Sequence, residues 1–126
     1  MRAPEPLTGL RVIARPEALD ALTWPDGVIG LRLAADDLFA VGAESVEMAA
    51  EPAVVEREAG YLGWWLTLEE LHDHVLEQVE WPLPRARPAL AQGLIAGVPA
   101  KLWLTHDRAL LLTAAAYAHE LEERLP

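Results

Sequence analysis

Apolar and polar residues alternate along the first third of the chain, and this spacing predicts short strands. The alternation over residues 10–14 predicts the first strand. Pro16 suits the first position of a helix, so a short helix is expected over 17–22. The remaining elements of this part are a turn at Trp24–Gly27, a hairpin with strands over 28–33 and 38–41, a loop over 42–52 and a short strand over 53–55.

The second half contains the clearest helix pattern. Thr67 and Glu70 have the spacing of a capping box, and the helix that follows is expected to end near Glu80, because Pro82 cannot continue it. Its apolar stripe comprises Leu68, Leu71, Val75, Leu76 and Val79. The other predicted elements are strands over 61–66, 89–96, 101–104 and 109–112, and a last helix capped by Thr113, with Ala114, Tyr117, Ala118, Leu121 and Leu125 on its apolar face.

The order of these elements predicts the fold class. It reads β-α-β-β and then β-α-β-β-β-α, and the hairpin segment Leu31–Asp36 is similar to Leu102–Asp107. Either the chain contains two copies of one unit, or two unrelated hairpins are alike by coincidence. We expect an α+β domain of ferredoxin-like β-α-β-β repeats, with a mostly antiparallel sheet and the helices on one face. Residues 1–126 are expected to form a single domain.

Composition and charge narrow the classes of function. The 126 residues are 52% hydrophobic and include no cysteine, so disulfides, thiol nucleophiles and thiolate metal sites are excluded. The formal net charge of −10 disfavours binding to nucleic acid or to an anionic membrane. No targeting segment is visible, and the most apolar stretch, 109–118, is too short for a membrane span. We therefore expect a cytoplasmic protein.

The polar residues do not form a recognisable catalytic or metal-binding pattern. His72 and His74 are two apart on a predicted helix and point in nearly opposite directions, so they cannot chelate one ion. His72 is expected on the apolar face and His74 in solvent. Asp36 and Asp37 suit a turn better than a cation site, and Ser45 lacks the sequence around a nucleophile. We predict no catalytic residue, no metal and no cofactor.

The five tryptophans suggest a binding surface. Trp64 and Trp65 are adjacent on a predicted strand, so their rings point to opposite faces. Trp64 alternates with leucines and belongs with the core. We hypothesise that Tyr61, Gly63 and Trp65 form an interface on the other face, because tryptophan is enriched at binding anchors. The alternative is that another part of the same chain covers this face.

A resemblance to a known family covers about two thirds of the chain. The segment Pro84–Gly93, the hairpin from Ala100 to Leu112 and the last helix resemble the end of the gamma subunit of heterotetrameric sarcosine oxidase. The segment Leu31–Phe39 is similar to the first hairpin of that family, with Ala35 at the position of an expected proline. The resemblance implies the fold shared with the T-protein of the glycine cleavage system.

The resemblance also implies a function. In that assembly the gamma subunit supplies contacts, while the flavin and folate chemistry belongs to larger subunits, so no catalytic residue carries over to this chain. We therefore expect a non-catalytic accessory subunit that contacts a larger flavin- or folate-dependent protein, or that associates with itself. The alternative is a domain that binds a folate-like or other flat small molecule on its tryptophans.

Overall fold

The computed structural model describes residues 1–48 and 52–126. Its contacts divide these residues into two compact units. The N-terminal unit is Leu7–Gly60, and the C-terminal unit is Tyr61–Pro126 together with Met1–Pro6. The elements are β1 (Glu5–Ala14), α1 (Pro16–Asp20), β2 (Ile29–Ala34), β3 (Asp37–Val41), β4 (Ala53–Thr67), α2 (Leu68–His74), a 3₁₀ turn (Leu76–Gln78), β5 (Ala89–Ile95), β6 (Val98–Leu104), β7 (Arg108–Ala114) and α3 (Ala115–Arg124).

The strands follow the order β2-β3-β1-β4-β7-β6-β5. The pairs β1–β3, β2–β3, β4–β7, β5–β6 and β6–β7 are all antiparallel, which confirms the antiparallel part of the expected fold. The strand β4 begins in the N-terminal unit and ends in the C-terminal unit, because the division falls between Gly60 and Tyr61.

The expected ferredoxin-like arrangement is wrong. Strands dominate the chain, and α1, α2 and α3 are only 5, 7 and 10 residues long. The polar segment 56–60 was expected to separate two short strands, yet it lies inside the 15-residue strand β4. A strand whose side chains are exposed requires no apolar alternation, and four consecutive residues, 54–57, are exposed here. A single long strand therefore replaces two short ones.

In the N-terminal unit, α1 packs on one side of β1 and β3. Its core comprises Leu10, Val12, Ala14, Leu19, Leu38, Ala40 and Ala43. Asp37, expected in a turn, begins β3 and accepts two hydrogen bonds from the guanidinium of Arg11, at 2.6 and 2.7 Å. The same guanidinium contacts Glu58 on β4 at 2.7 Å. The predicted loop 42–52 includes residues 49–51, which lie outside the described residues; over 43–48 the chain forms no strand or helix.

In the C-terminal unit, α2 and α3 cover one side of the strands. Its buried core comprises Trp64, Leu66, Leu71, Val75, Ile95, Val98, Ala100, Leu102, Leu104, Ala109, Leu111, Ala118 and Leu121. Trp64 is 1% exposed, as its alternation with leucines predicts. Both of these cores lie between helices and strands. The opposite side of the strands also carries fully buried residues, among them Leu31, Phe39, Leu110 and Leu112.

The predicted capping box is confirmed, but α2 is shorter than expected. The amide of Glu70 donates to Thr67 Oγ1 and the amide of Thr67 donates to Glu70 Oε1, each at 3.0 Å. The helix ends at His74, and the 3₁₀ turn replaces its expected last turns. The histidine placement was also wrong: His72 is exposed, whereas His74 is half-buried with Nδ1 2.6 Å from the carbonyl oxygen of Pro126.

Candidate contact face

The strand β4 presents different residues on its two sides within the C-terminal unit. Trp64 and Leu66 point into the core between strands and helices. Side chains alternate along a strand, so Tyr61, Gly63 and Trp65 lie on the opposite side. Tyr61 and Trp65 are half-buried, and Gly63 is buried. The hypothesised interface residues thus share one face, but Gly63 does not contribute exposed surface.

Strand register places a second tryptophan beside Trp65. Trp65 pairs with Leu110 on β7, and Leu110 pairs with Trp103 on β6, so these three residues form one row across the sheet. The rings of Trp65 and Trp103 meet edge to face, with centroids 6.2 Å apart and an interplanar angle of 81°. Leu110 is fully buried between the two half-buried indoles. The row is therefore an aromatic cluster.

A cation lies on this cluster. Arg108 begins β7, and its guanidinium carbon is 4.0 Å from the centroid of the Trp65 ring. That distance is well inside the range for a cation–π interaction. Arg108 is exposed. The guanidinium restrains the indole and adds a positive charge to the same surface.

A second cation lies in the neighbouring rows. Lys101 on β6 pairs with Leu112 on β7 and with Gln92 on β5. Its ammonium donates to Gln92 Oε1 at 2.8 Å and lies 6.0 Å from the centroid of the Tyr61 ring. Six residues on this side of the C-terminal unit form what we call the contact face: Tyr61, Gly63, Trp65, Lys101, Trp103 and Arg108.

The charge on this side differs from that of the chain as a whole. On β4 to β7 the described residues that share it alternate with those of the core, and none of these is acidic: Tyr61, Gly63, Trp65, Thr67, Leu90, Gln92, Leu94, Pro99, Lys101, Trp103, Arg108, Leu110, Leu112 and Ala114. They include two cations, in a protein with 20 acidic and 10 basic residues. The nearest acid in sequence, Asp107, accepts a hydrogen bond from Thr105 in the β6–β7 turn. The described positions of β4 to β7 on this side thus contribute two cations and no acid.

Candidate metal ligands and titratable groups are spread over the described residues. Among the described residues, no group of three or more histidine, aspartate or glutamate side chains is placed to hold a metal ion. The four histidines lie apart, on α2, on the β6–β7 turn and on α3. The pKa of the Glu70 carboxyl is lowered, chiefly because the amide of Thr67 donates to it, and this belongs to the helix cap. In the described part of the chain, no helix has the length and apolar character needed to cross a membrane.

Three contact-face residues were not predicted from the sequence. Lys101, Trp103 and Arg108 are brought to Trp65 and Tyr61 by the pairing of β4 with β7 and of β7 with β6. These partners are about 40 residues apart in the chain, and no local pattern specifies their register. The one clue in the sequence was that residues of the hairpin containing Trp103 alternate between core and non-core positions in the same way as those of β4.

Comparison with known proteins gives no relative from which a function could be transferred. No protein-family model, curated protein or solved structure matches this chain.

Proposed function

We propose that this chain is a non-catalytic binding module that contacts a larger protein through its contact face. The observation that carries the proposal is the coincidence of two half-buried indoles and two cations on described positions of β4 to β7 that include no acid, in a chain of net charge −10. Tryptophan and arginine are the residues most often found at energetic hot spots of interfaces. Here both residue types occur together, and they contact one another.

The aromatic cluster suits an anchor because it is already restrained. Trp65 is held edge to face by Trp103 and covered on its ring by Arg108. A side chain that is fixed before binding loses less conformational entropy when the complex forms. The remaining exposed parts of the two indoles supply apolar area. A partner that buries them gains affinity without reorganising the cluster.

The charge of the face selects the class of partner. Lys101 and Arg108 favour an acidic surface or segment as the partner. The net negative charge of the rest of the chain would repel such a partner elsewhere and so direct it to the contact face. Self-association through this face is disfavoured, since a twofold dimer apposes the same patch on both copies. The cations would then face one another. The proposal therefore takes a different, acidic protein as the partner.

The resemblance to the sarcosine oxidase gamma subunit gives the proposal its most specific form. Lys101, Trp103 and Arg108 belong to the hairpin that carries the resemblance. A gamma-like role would be contact with a larger flavin- or folate-dependent subunit. In this form of the proposal the chemistry resides in the partner, and this chain provides a docking surface.

Affinity capture with matched variants tests the proposal. Columns carrying wild type, Trp65→Ala and Arg57→Ala are loaded with extract from the source organism. Arg57 is an exposed arginine on β4 in the N-terminal unit and serves as the control. We expect an acidic protein that wild type and the Arg57 variant retain and the Trp65 variant loses. Equal retention by all three columns would contradict the proposed role of the contact face.

A further inference from the structure

Two glycine turns of the N-terminal unit lie against each other. In the turn after α1, Gly27 has a φ of 89°, and the amide of Val28 donates to the carbonyl oxygen of Pro25 at 3.2 Å. In the turn after β3, Gly42 has a φ of 88°. A Cβ on Gly42 would lie 3.5 Å from the carbonyl oxygen of Gly27. Because glycine adopts these positive φ values without strain, both turns are tight and their backbones can come close together.

A pocket of about 430 Å³ is formed by the segments that flank these turns. Residues 21–25 lead into the first turn, and residues 45–47 follow the second. The described lining residues all belong to the N-terminal unit. They include an indole, two hydroxyl groups and one carboxylate, supplied by Trp24, Thr23, Ser45 and Glu47. The volume lies within the range of about 300–1,000 Å³ in which small molecules are bound.

Trp24 gives the pocket an aromatic wall that is held in place by its packing. The residue is half-buried and packs against the core of the N-terminal unit. Its Nε1 lies 3.1 Å from the point that a Cβ on Gly30 would occupy. The indole thus rests on β2 where glycine leaves room for it. The face of an indole attracts cations more strongly than any other aromatic side chain, so a fixed indole in a pocket wall favours a cationic ligand.

The charge around the pocket favours the same class of ligand. Glu47 is exposed and, among the described residues, takes part in none of the ion pairs of this unit, which join Arg11 to Asp37 and Glu58, Arg15 to Glu17, and Arg32 to Asp20. Residues 16–31, which include Trp24, contain no lysine, arginine or histidine, and neither do residues 33–56, which include Glu47. A cation that enters the pocket therefore meets a negative charge without displacing a basic side chain from it.

We propose that this pocket binds a small primary amine in its protonated form. The ammonium group would lie between the indole of Trp24 and the carboxylate of Glu47, and Val46 offers apolar surface to a short hydrocarbon body. A primary ammonium has three N–H donors, and Thr23 and Ser45 supply hydroxyl acceptors in the lining. A quaternary ammonium ion has no such donor. The pocket belongs to the N-terminal unit, so this binding does not depend on the contact face.

The direct test compares an amine with probes that lack its charge or its donors. Phenethylamine is titrated into ¹⁵N-labelled protein alongside phenethyl alcohol, which is neutral, and phenethyltrimethylammonium, which is charged but has no N–H. Indole and amide chemical shifts are followed by NMR. We expect phenethylamine to shift the indole N–H of Trp24 and the amides of Ser45 and Glu47, and the other two probes to bind at least tenfold more weakly. Phenethylamine binding no tighter than that of either other probe, no binding, or shifts confined to other residues would overturn the proposal.

Variants separate the pocket from the general negative charge of the chain. Glu47→Gln should weaken phenethylamine binding at least tenfold. Glu56→Gln removes the same charge at an exposed position outside the described lining and should leave binding nearly unchanged. Trp24→Leu should weaken binding severalfold, and Trp24→Phe should retain more of it, because a phenyl ring keeps an aromatic face.

The two kinds of variant protect the test against a loss of folding. If a Trp24 variant does not fold, as its spectrum would show, the Glu47 variant and the alcohol probe still decide the question. Undiminished binding by folded Glu47→Gln, or equal losses for Glu47→Gln and Glu56→Gln, would contradict the assignment.

Discussion

The guanidinium of Arg108 lies 4.0 Å from the centroid of the Trp65 indole, and the two residues reach each other diagonally across paired strands. Arg108 pairs with Thr67 and Trp65 pairs with Leu110, so Trp65 and Arg108 are two positions apart on the same side. The contact places the positive charge of Arg108 directly against the indole of Trp65, in the aromatic part of the contact face. A partner that buries Trp65 must therefore also accommodate Arg108, and an acidic group is the natural complement.

The contact face predicts that the purified protein does not dimerise through it. A twofold pairing would bring Lys101 and Arg108 against their own copies, and like charges placed together oppose association. We expect the wild-type protein to sediment as a monomer at low salt. A dimer in sedimentation velocity that dissociates on Trp65→Ala substitution would show that the face serves self-association instead.

The capping box predicts a measurable contribution to stability. Thr67→Ala removes the hydroxyl that accepts from the amide of Glu70, and loss of a helix N-cap costs about 1 kcal/mol. Thr67→Ser keeps the acceptor and should remain close to wild type. Urea unfolding of the three proteins measures the difference. An unchanged free energy of unfolding for Thr67→Ala would mean that α2 does not depend on this cap.

The same box predicts a pH dependence of known sign. The pKa of Glu70 is lowered in the folded state, chiefly by the hydrogen bond from the amide of Thr67. The stabilisation is therefore present above the ordinary pKa of a glutamate and is lost as the pH falls through the lowered value. Glu70→Gln keeps an acceptor but cannot titrate. We expect wild type to be the more stable at pH 6, and the difference to shrink as the pH falls below 4.5 and passes through the lowered pKa. A difference that is constant with pH would contradict the role of the charge.

The Arg11 network predicts a coupled effect in the N-terminal unit. Arg11 binds Asp37 and Glu58, and each of the three side chains is less than a third exposed. Arg11→Met leaves the two carboxylates without this cation and should cost about 2 kcal/mol, below the range for fully buried pairs because solvent screens the charges. Glu58→Gln should be destabilising in wild type and nearly neutral in the Arg11 variant.

A double-mutant cycle in urea measures this coupling, since the change in one partner depends on whether the other is present. The exposed pair of Arg32 and Asp20 provides the control, because surface ion pairs contribute about 1 kcal/mol or less. Additive effects of Arg11→Met and Glu58→Gln would show that the network does not act as a unit.

Features encoded by neighbouring residues were predictable from the sequence. The cap at Thr67 depends on a residue three positions away, and both hairpins depend on short turns, so each was located correctly. The last helix was placed almost correctly, but its proposed cap, Thr113, lies at the end of β7 and bonds to Pro99. The Thr113 hydroxyl could cap the last helix or donate to Pro99. The choice depends on where Pro99 lies, and the residues next to Thr113 do not reveal this.

Features that depend on distant pairing were not predictable. The polar residues 56–60 form part of β4, and nothing within the segment indicates that a strand passes through it. Asp37 was assigned to a turn because its partner Arg11 is 26 residues away. In the contact face, alternation along β4 grouped Tyr61, Gly63 and Trp65, but it could not supply Trp103 and Arg108 from other strands. The sequence therefore indicated the contact-face residues on β4. It did not indicate the residues that other strands contribute or the charge of the face.

The most direct test of the contact face is the affinity of the captured acidic partner, once purified, for matched variants in isothermal titration calorimetry. Trp65→Ala should weaken binding by at least about 2 kcal/mol, or roughly 30-fold, the scale of an interface hot spot. Arg108→Ala should weaken it less and reduce its dependence on salt, while Arg57→Ala should match wild type. Circular dichroism confirms that each variant is folded. An affinity for folded Trp65→Ala equal to that of wild type would contradict the account.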